Sequence, residues 1–393
     1  MLLRARRWAL AVLAGNSRPQ DLPAMSAGEW DLFLALERCG ALLLSRLTNS
    51  LPSPAADRFR MAAATESQSS LQARAEGRAL SGIASRLDFP VVVLKGGVRA
   101  ISGASPPLPL VDLDLLVEKR HVETLTSELR KAGFGEPARD ASHHRGIVPT
   151  EGRLAVDVHW TTNDDGRPMN PEVWRHIRAI DDWRIDDWKK DRSHSSTPPI
   201  PQSSNRLMRL SARDNLEHLL RHAIIVHRDR SVALRDIALI GYSVLDCNES
   251  DLGAVRAAIG SDRHAAKLAS LLDLSVAFAT GSAAVTDPFA REAAAFYASA
   301  VMESKITSPA ARAFMMEIAL ERSTKREAVA RALKFRGSGH ESVERLAAKF
   351  PGAGAALAGA AHAAYYGAVA AVSLPRVRLI ASRALRELDR QTH

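Results

Sequence analysis

Cysteine is scarce in this chain of 393 residues, where only Cys39 and Cys247 occur. Two cysteines so far apart make neither a zinc-binding motif nor a disulfide framework, so a cysteine-rich metal domain and a small disulfide-stabilised secreted domain are excluded. A reducing compartment is the natural setting, and we expect a cytoplasmic protein.

Long apolar segments are also few. The opening stretch MLLRARRWALAVLAGNS joins a basic start to a brief apolar run without a clean small-residue cleavage pattern, so we expect an amphipathic first helix and not a signal peptide. Residues 352–375 are long enough to cross a bilayer and carry no acidic or basic charge until their end. Because alanine and glycine dominate them, they predict a buried helix and no membrane span.

Acidic residues are outnumbered, with 44 aspartates and glutamates against 53 lysines and arginines. Most of the excess lies in residues 301–393, which hold 15 basic and 8 acidic residues. Such a region attracts phosphate, RNA or an anionic membrane, or it forms a solvated helical face. Aromatic residues make up 5% of the chain, which disfavours single-stranded RNA binding by base stacking.

The order of predicted elements indicates an α+β fold. Helical periodicity fills the first part of the chain, and the runs PVVVL (90–94) and PLVDLDLLV (109–117) predict strands. A helix over 119–134 follows, and residues 146–162 predict a hairpin that turns at Glu151–Gly152. The expected division is an N-terminal helical segment (1–88), a small mixed-sheet α/β core (89–165), an irregular linker (166–204) and a C-terminal helical region (205–393).

Two aspartates interrupt the second predicted strand. Since side chains alternate along a strand, Asp112 and Asp114 face the same way, and two such carboxylates repel each other unless cations lie between them. In LAVDVHW, Asp157 alternates with His159 and lies on a strand that can neighbour the pair. The apolar residues of the two strands are expected to face the core: Val111, Leu113, Leu115, Val117, Val156, Val158 and Trp160.

The segment LKGG ends the first predicted strand and precedes a short helix expected to start near Val98. Gly96 and Gly97 let the backbone approach a phosphate closely, and Lys95 or Arg99 can meet the phosphate charge. Each feature alone also has a structural explanation, because glycines mark turns and exposed strands carry acidic pairs. The order of glycine corner, D-x-D strand and third aspartate favours a site that binds divalent ions and a polyphosphate.

These motifs resemble the nucleotidyltransferase superfamily, which includes polymerase beta, CCA-adding enzymes and antibiotic nucleotidyltransferases. More narrowly, LKGG…DLDLLV…AGF…VDVHW is similar to the uncharacterised bacterial nucleotidyltransferase family NTP_transf_5. The resemblance continues into LSARDNLEHLLRHAIIVHRDRSVALRDIALI, where His222, His227 and Asp236 occupy the family's histidine and aspartate positions. It covers residues 25–280, and nothing after about residue 285 is recognised.

The resemblance implies roles for these residues. Asp112, Asp114 and Asp157 would bind the Mg²⁺ or Mn²⁺ ions that hold a nucleoside triphosphate, and Asp157 would help to activate an acceptor hydroxyl. Gly96 and Gly97 would contact the β- and γ-phosphates. Supporting roles fall to His159, His222 and Asp236, with His159 orienting a carboxylate or packing as a satisfied core histidine.

Two positions depart from the family pattern, which has an arginine four residues before the first aspartate and a glycine immediately before it. Leu108 and Val111 stand there, so Arg99 is a candidate to replace the missing arginine. The expected activity is transfer of a nucleoside monophosphate to a hydroxyl of a small molecule, peptide or protein. The alternatives are the same reaction on RNA, such as a tRNA 3′ end, and a non-catalytic scaffold.

Overall fold

A computed structural model describes ten ranges of the chain: residues 1–15, 22–47, 55–140, 143–162, 170–180, 207–226, 230–281, 286–301, 364 and 375–386. The chain divides into two compact units. The smaller consists of residues 1–8, 223–233 and 286–393, and the larger of residues 9–222 and 234–285. In the smaller unit the fully buried Arg6 donates a hydrogen bond of 2.7 Å from Nε to Asp287 Oδ2.

The described part of the chain contains helices and one seven-stranded mixed sheet, which confirms the α+β class. The helices with defined bounds in the described ranges are α1 (Leu2–Leu13), α2 (Ala27–Glu37), α3 (Gly40–Arg46), α4 (Ala55–Ala84), α5 (Gly96–Ser102), α6 (Val122–Lys131), α7 (Glu172–Arg175), α8 (Ala212–Arg221), α9 (Leu234–Leu245), α10 (Glu249–Gly260), α11 (Ala265–Thr280) and α12 (Ala290–Val301). Residues 375–386 are also helical. The strands are β1 (Val91–Val93), β2 (Asp112–Leu116), β3 (Gly135–Asp140), β4 (His144–Pro149), β5 (Ala155–His159), β6 (Arg178–Ala179) and β7 (Leu207–Arg209).

The sheet has the strand order β3-β4-β5-β2-β1-β7-β6. The pairs β2–β5 and β1–β7 are parallel, and the remaining neighbours are antiparallel. The predicted hairpin is confirmed, because β4 and β5 pair with the turn at Glu151–Gly152 between them. Parallel pairing of β2 with β5 requires a long crossover, which α6 and the β3–β4 ribbon provide.

The two faces of the sheet differ in their covering. On one face, α4 and α6 pack against a large apolar cluster that includes Leu113, Leu115, Val156 and Val158. On the other face, a smaller apolar cluster of described residues is buried around Leu116. The carboxylates project from this second face, since they alternate with the core residues.

The structure corrects several expectations. Val111 is 62% exposed because β2 begins only at Asp112, so its predicted place in the core is wrong. Helix α5 starts at Gly96 and not near Val98. The C-terminal region from residue 205 onward, predicted as one helix after another, begins with strand β7. The three residues of β7 and the two residues of β6 extend the sheet beyond 89–165. Strands this short carry no readable alternation.

Membrane-spanning character is not found: no helix in the described ranges combines the length and apolarity needed to cross a bilayer. The predicted buried helix at 352–375 lies outside the described residues except at Ala364 and its last position.

Buried carboxylates fix the helices around the site. Glu37 of α2 accepts a 2.6 Å hydrogen bond from the backbone N–H of Leu234, at the start of α9. Glu66 of α4 accepts bonds of 2.9 and 2.7 Å from Gly40 and Ala41 at the start of α3. Helix N-termini carry unpaired N–H groups and a partial positive charge, so a buried carboxylate there satisfies both.

Alanine substitutions at two helical glycines test how tightly α9 packs against α11. A Cβ at Gly241 in α9 would lie 2.3 Å from a ring carbon of Phe278 in α11, whereas a Cβ at Gly253 in α10 meets nothing within 4 Å. We expect Gly241→Ala to destabilise the fold by about 1–3 kcal/mol through overpacking. The matched control Gly253→Ala should gain about 0.5–1 kcal/mol from helix propensity. Urea midpoints measure both, and equal midpoints would contradict this packing of α9.

Candidate active site

Strand register brings the acidic residues together. Asp114 on β2 lies directly opposite Asp157 on β5, while Leu116 lies opposite His159. Neighbouring strands are about 4.8 Å apart, so residues in register on one face are in contact. One ligand atom from each of Asp114, Asp157 and His159 lies within 4.8 Å of the others. Asp112 projects from the same face of β2 but is not part of this group.

Asp114 is the most buried of the carboxylates, at 5% exposure, and two basic side chains contact it. Lys95 donates a 2.8 Å hydrogen bond from Nζ to Oδ1, and His159 Nε2 lies 2.9 Å from the same oxygen. Burial by itself would raise the pKa of Asp114, but the Lys95 charge and the His159 hydrogen bond outweigh it and hold the pKa well below the ordinary value. Asp114 therefore stays ionised at neutral pH.

The other two carboxylates show the opposite shift. Burial, followed by the charge of Asp114, raises the pKa of both Asp112 and Asp157. Lys95 reduces the shift at each, and a neighbouring arginine, Arg235, also reduces it at Asp112. A carboxylate with a raised pKa accepts a proton more readily, which suits a general base.

The glycine corner is built differently from its prediction. Lys95 has φ 53° and ψ −136°, and this turn directs the chain from β1 into α5. The Gly97 N–H bonds to the Leu94 carbonyl at 3.2 Å, and a Cβ at Gly97 would lie 2.8 Å from Val93 Cγ1. Packing alone therefore requires Gly97. A Cβ at Gly96 would lie 3.2 Å from Nη2 of Arg235.

Arg235 is a residue that the sequence reasoning did not single out. From α9 it donates a hydrogen bond to the Pro109 carbonyl at 2.9 Å and contacts Asp236 Oδ1 at 3.0 Å. Its guanidinium thus lies beside the segment where the family arginine is missing at Leu108. Asp236, predicted to support the site, pairs with Arg235.

Arg99 lies away from the carboxylates. Its guanidinium carbon is 3.8 Å from the centre of the Tyr242 ring, and Nη2 donates to the Ser105 carbonyl at 3.3 Å. It lines a small pocket that also reaches Lys95 and Arg209.

Three histidines that the sequence did not predict as site residues lie close to the carboxylates. His143 and His144 precede and begin β4, and their rings lie 5.5 and 5.1 Å from the His159 ring. Burial, and then the charge of His159, lowers the pKa of His144 to about 4. The only sequence signal was the HH pair, two residues before the predicted hairpin.

The third is His218 on α8, whose pKa is lowered to about 3 by burial and then by the charges of Lys95 and His159. Its ring lies 5.8 Å from that of His222, the predicted supporting histidine at the end of α8. His222 belongs to no metal-competent group found among the described residues, and His227 lies outside them.

Because His218 titrates far below the value of about 6.5 expected in the unfolded chain, stability should fall as pH decreases below about 6.5. Below that pH the unfolded state binds a proton at His218 and the folded state does not. The free energy of unfolding therefore falls by up to about 1.4 kcal/mol per pH unit. We expect His218→Gln to remove this slope, leaving a difference from wild type of about 2 kcal/mol between pH 6.5 and about pH 5. Urea unfolding in EDTA measures it, with the exposed His176→Gln as control. An unchanged slope would contradict a buried neutral imidazole.

The comparison with known families agrees with this geometry. The chain matches the family described as uncharacterised nucleotidyltransferase over residues 36–259, which is more than half of its length and includes every described strand. No curated protein and no solved structure matches it. The carboxylate register, the glycine corner and α8–α9 all fall inside the matched range. The chain therefore belongs to the uncharacterised nucleotidyltransferase family, NTP_transf_5, as its motifs predicted.

Proposed function

We propose that this nucleotidyltransferase requires a divalent metal and transfers a nucleoside monophosphate from a nucleoside triphosphate to an acceptor hydroxyl, releasing pyrophosphate. The observation that carries the proposal is the register of Asp114 opposite Asp157, with Asp112 on the same face and Lys95 bound to Asp114. The preferred acceptor is a small molecule, a peptide or a protein. RNA is the alternative, supported by the basic composition of residues 301–393.

The donor set fits a hard divalent cation. Carboxylate oxygens are the ligands that Mg²⁺ and Mn²⁺ take, and Asp114 and Asp157 offer them within 4.8 Å of each other. Asp112 supplies a further carboxylate one alternation along β2. When bound, the cation neutralises charge on the triphosphate and on the leaving pyrophosphate.

The protein side chains supply the remaining chemistry. Asp157 accepts the proton of the acceptor hydroxyl, whose oxygen forms a bond to the α-phosphorus as the bond from that phosphorus to the bridging oxygen breaks. The electron pair leaves with pyrophosphate, and the ammonium of Lys95 and the guanidinium of Arg235 stabilise its charge. His159 holds Asp114 in place through its 2.9 Å contact.

Asp157→Asn tests the general base. We expect pyrophosphate release to fall about 10²–10⁴-fold, because the amide cannot accept the proton, and Asp114→Asn to fall at least as far. Each α-labelled nucleoside triphosphate is incubated with Mg²⁺ or Mn²⁺ and candidate acceptors. Asp88→Asn, an exposed aspartate outside the site, is the matched control. Release at the wild-type rate by Asp157→Asn would remove the assignment, and its absence from every protein would favour a non-catalytic scaffold.

Arg235→Gln tests the replacement of the missing arginine. We expect the KM for the nucleoside triphosphate to rise about tenfold, since a charge-assisted hydrogen bond contributes about 1.5–3 kcal/mol, with kcat changed much less. Arg256→Gln is the control, because Arg256 pairs with Asp273 on exposed helix surfaces. An unchanged KM would return the role to Arg99.

A steep decrease of acceptor binding with salt would favour RNA over a small acceptor.

A further inference from the structure

A cluster of imidazoles adjoins the carboxylates on the same face of the sheet. His144 is the register partner of His159 across β4 and β5, and His143 immediately precedes it. The ring centres of His143 and His144 are 4.6 Å apart. One nitrogen from each of His143, His144 and His159 lies within 4.8 Å of the others.

One nitrogen of the cluster has no hydrogen-bond partner among the described residues. His144 Nδ1 is buried, and among the described residues no group hydrogen bonds to it. The other ring nitrogen of His144, Nε2, lies 3.8 Å from Asp157 Oδ2, which is beyond hydrogen-bond distance. A buried polar nitrogen without a partner is costly, and a bound cation would satisfy it.

The ligand types differ from those of the carboxylate position. Imidazole nitrogens bind Zn²⁺ and similar transition metals, whereas Mg²⁺ takes oxygen ligands. In a tetrahedral site with bonds of about 2.0–2.1 Å, ligand atoms are about 3.4 Å apart. The separations of up to 4.8 Å would therefore shorten by up to about 1.4 Å on binding.

We propose that His143, His144 and His159 form a binding site for a transition-metal cation of the Zn²⁺ type, with solvent in the fourth position. The site shares His159 with the proposed transfer centre, but it does not depend on the transfer reaction. A cation there would link β4 to β5 beside the carboxylates.

The test is titration of the metal-free full-length protein with Co²⁺, whose visible absorption reports nitrogen-rich tetrahedral coordination. We expect one equivalent to bind, to be displaced by Zn²⁺ and to resist Mg²⁺. His143→Ala/His144→Ala should weaken binding at least tenfold, whereas His176→Ala, an exposed histidine outside the cluster, should bind as wild type does. Zn²⁺ should also raise the Tm of the wild type and not of the double variant.

Two further variants keep the outcome decisive. If the double alanine variant does not fold, His144→Gln replaces it and should show the same loss of the Co²⁺ spectrum. Asp112→Asn removes a carboxylate of the transfer centre and no ligand of the histidine site, so loss of pyrophosphate release with retained Co²⁺ binding separates the two proposals. A weak, oxygen-type spectrum in the wild type, or an unchanged spectrum in the histidine variants, overturns the inference.

Discussion

The register of two parallel strands is the constraint on which this site depends. Because β2 and β5 align Asp114 with Asp157, two acidic side chains face each other at a partly buried position where mutual repulsion is strong. Lys95 and His159 offset this repulsion, since both contact one oxygen of Asp114. A cation is thus part of the arrangement even without a metal, and a bound metal must share Asp114 with the lysine or displace it.

That requirement explains the unusual backbone at Lys95. Its φ of 53° and ψ of −136° belong to a region that glycine adopts freely and that costs other residues about 1–3 kcal/mol. Glycine would relieve the turn but would remove the ammonium group that pairs with Asp114. The 2.8 Å ion pair offsets the backbone cost, and strain of this kind is concentrated at functional sites. The corner therefore places the Lys95 charge at Asp114.

The sequence was informative where structure is local. Alternation in DLDLL and AVDVH predicted the shared face of the carboxylates, because each strand is long enough to show its period. The predicted hairpin stopped two residues short of His143 and His144, although a turn at Glu151–Gly152 pairs His144 with His159 once the first strand is extended. The positions of short strands, and the surroundings of single polar residues on helices such as His218, depend on packing between segments that are distant in the sequence.

Arg235 illustrates how a position in space can be filled from a different element. The segment before β2 lacks the expected arginine, yet a guanidinium from α9 bonds to the Pro109 carbonyl in that same segment. Its placement depends on α9, whose first N–H is bound by Glu37 and whose middle packs against Phe278. Helix α9 therefore contributes charge to the glycine corner, where Arg235 acts on Asp112. A shift of α9 would change the charge around Asp112 without altering a single strand.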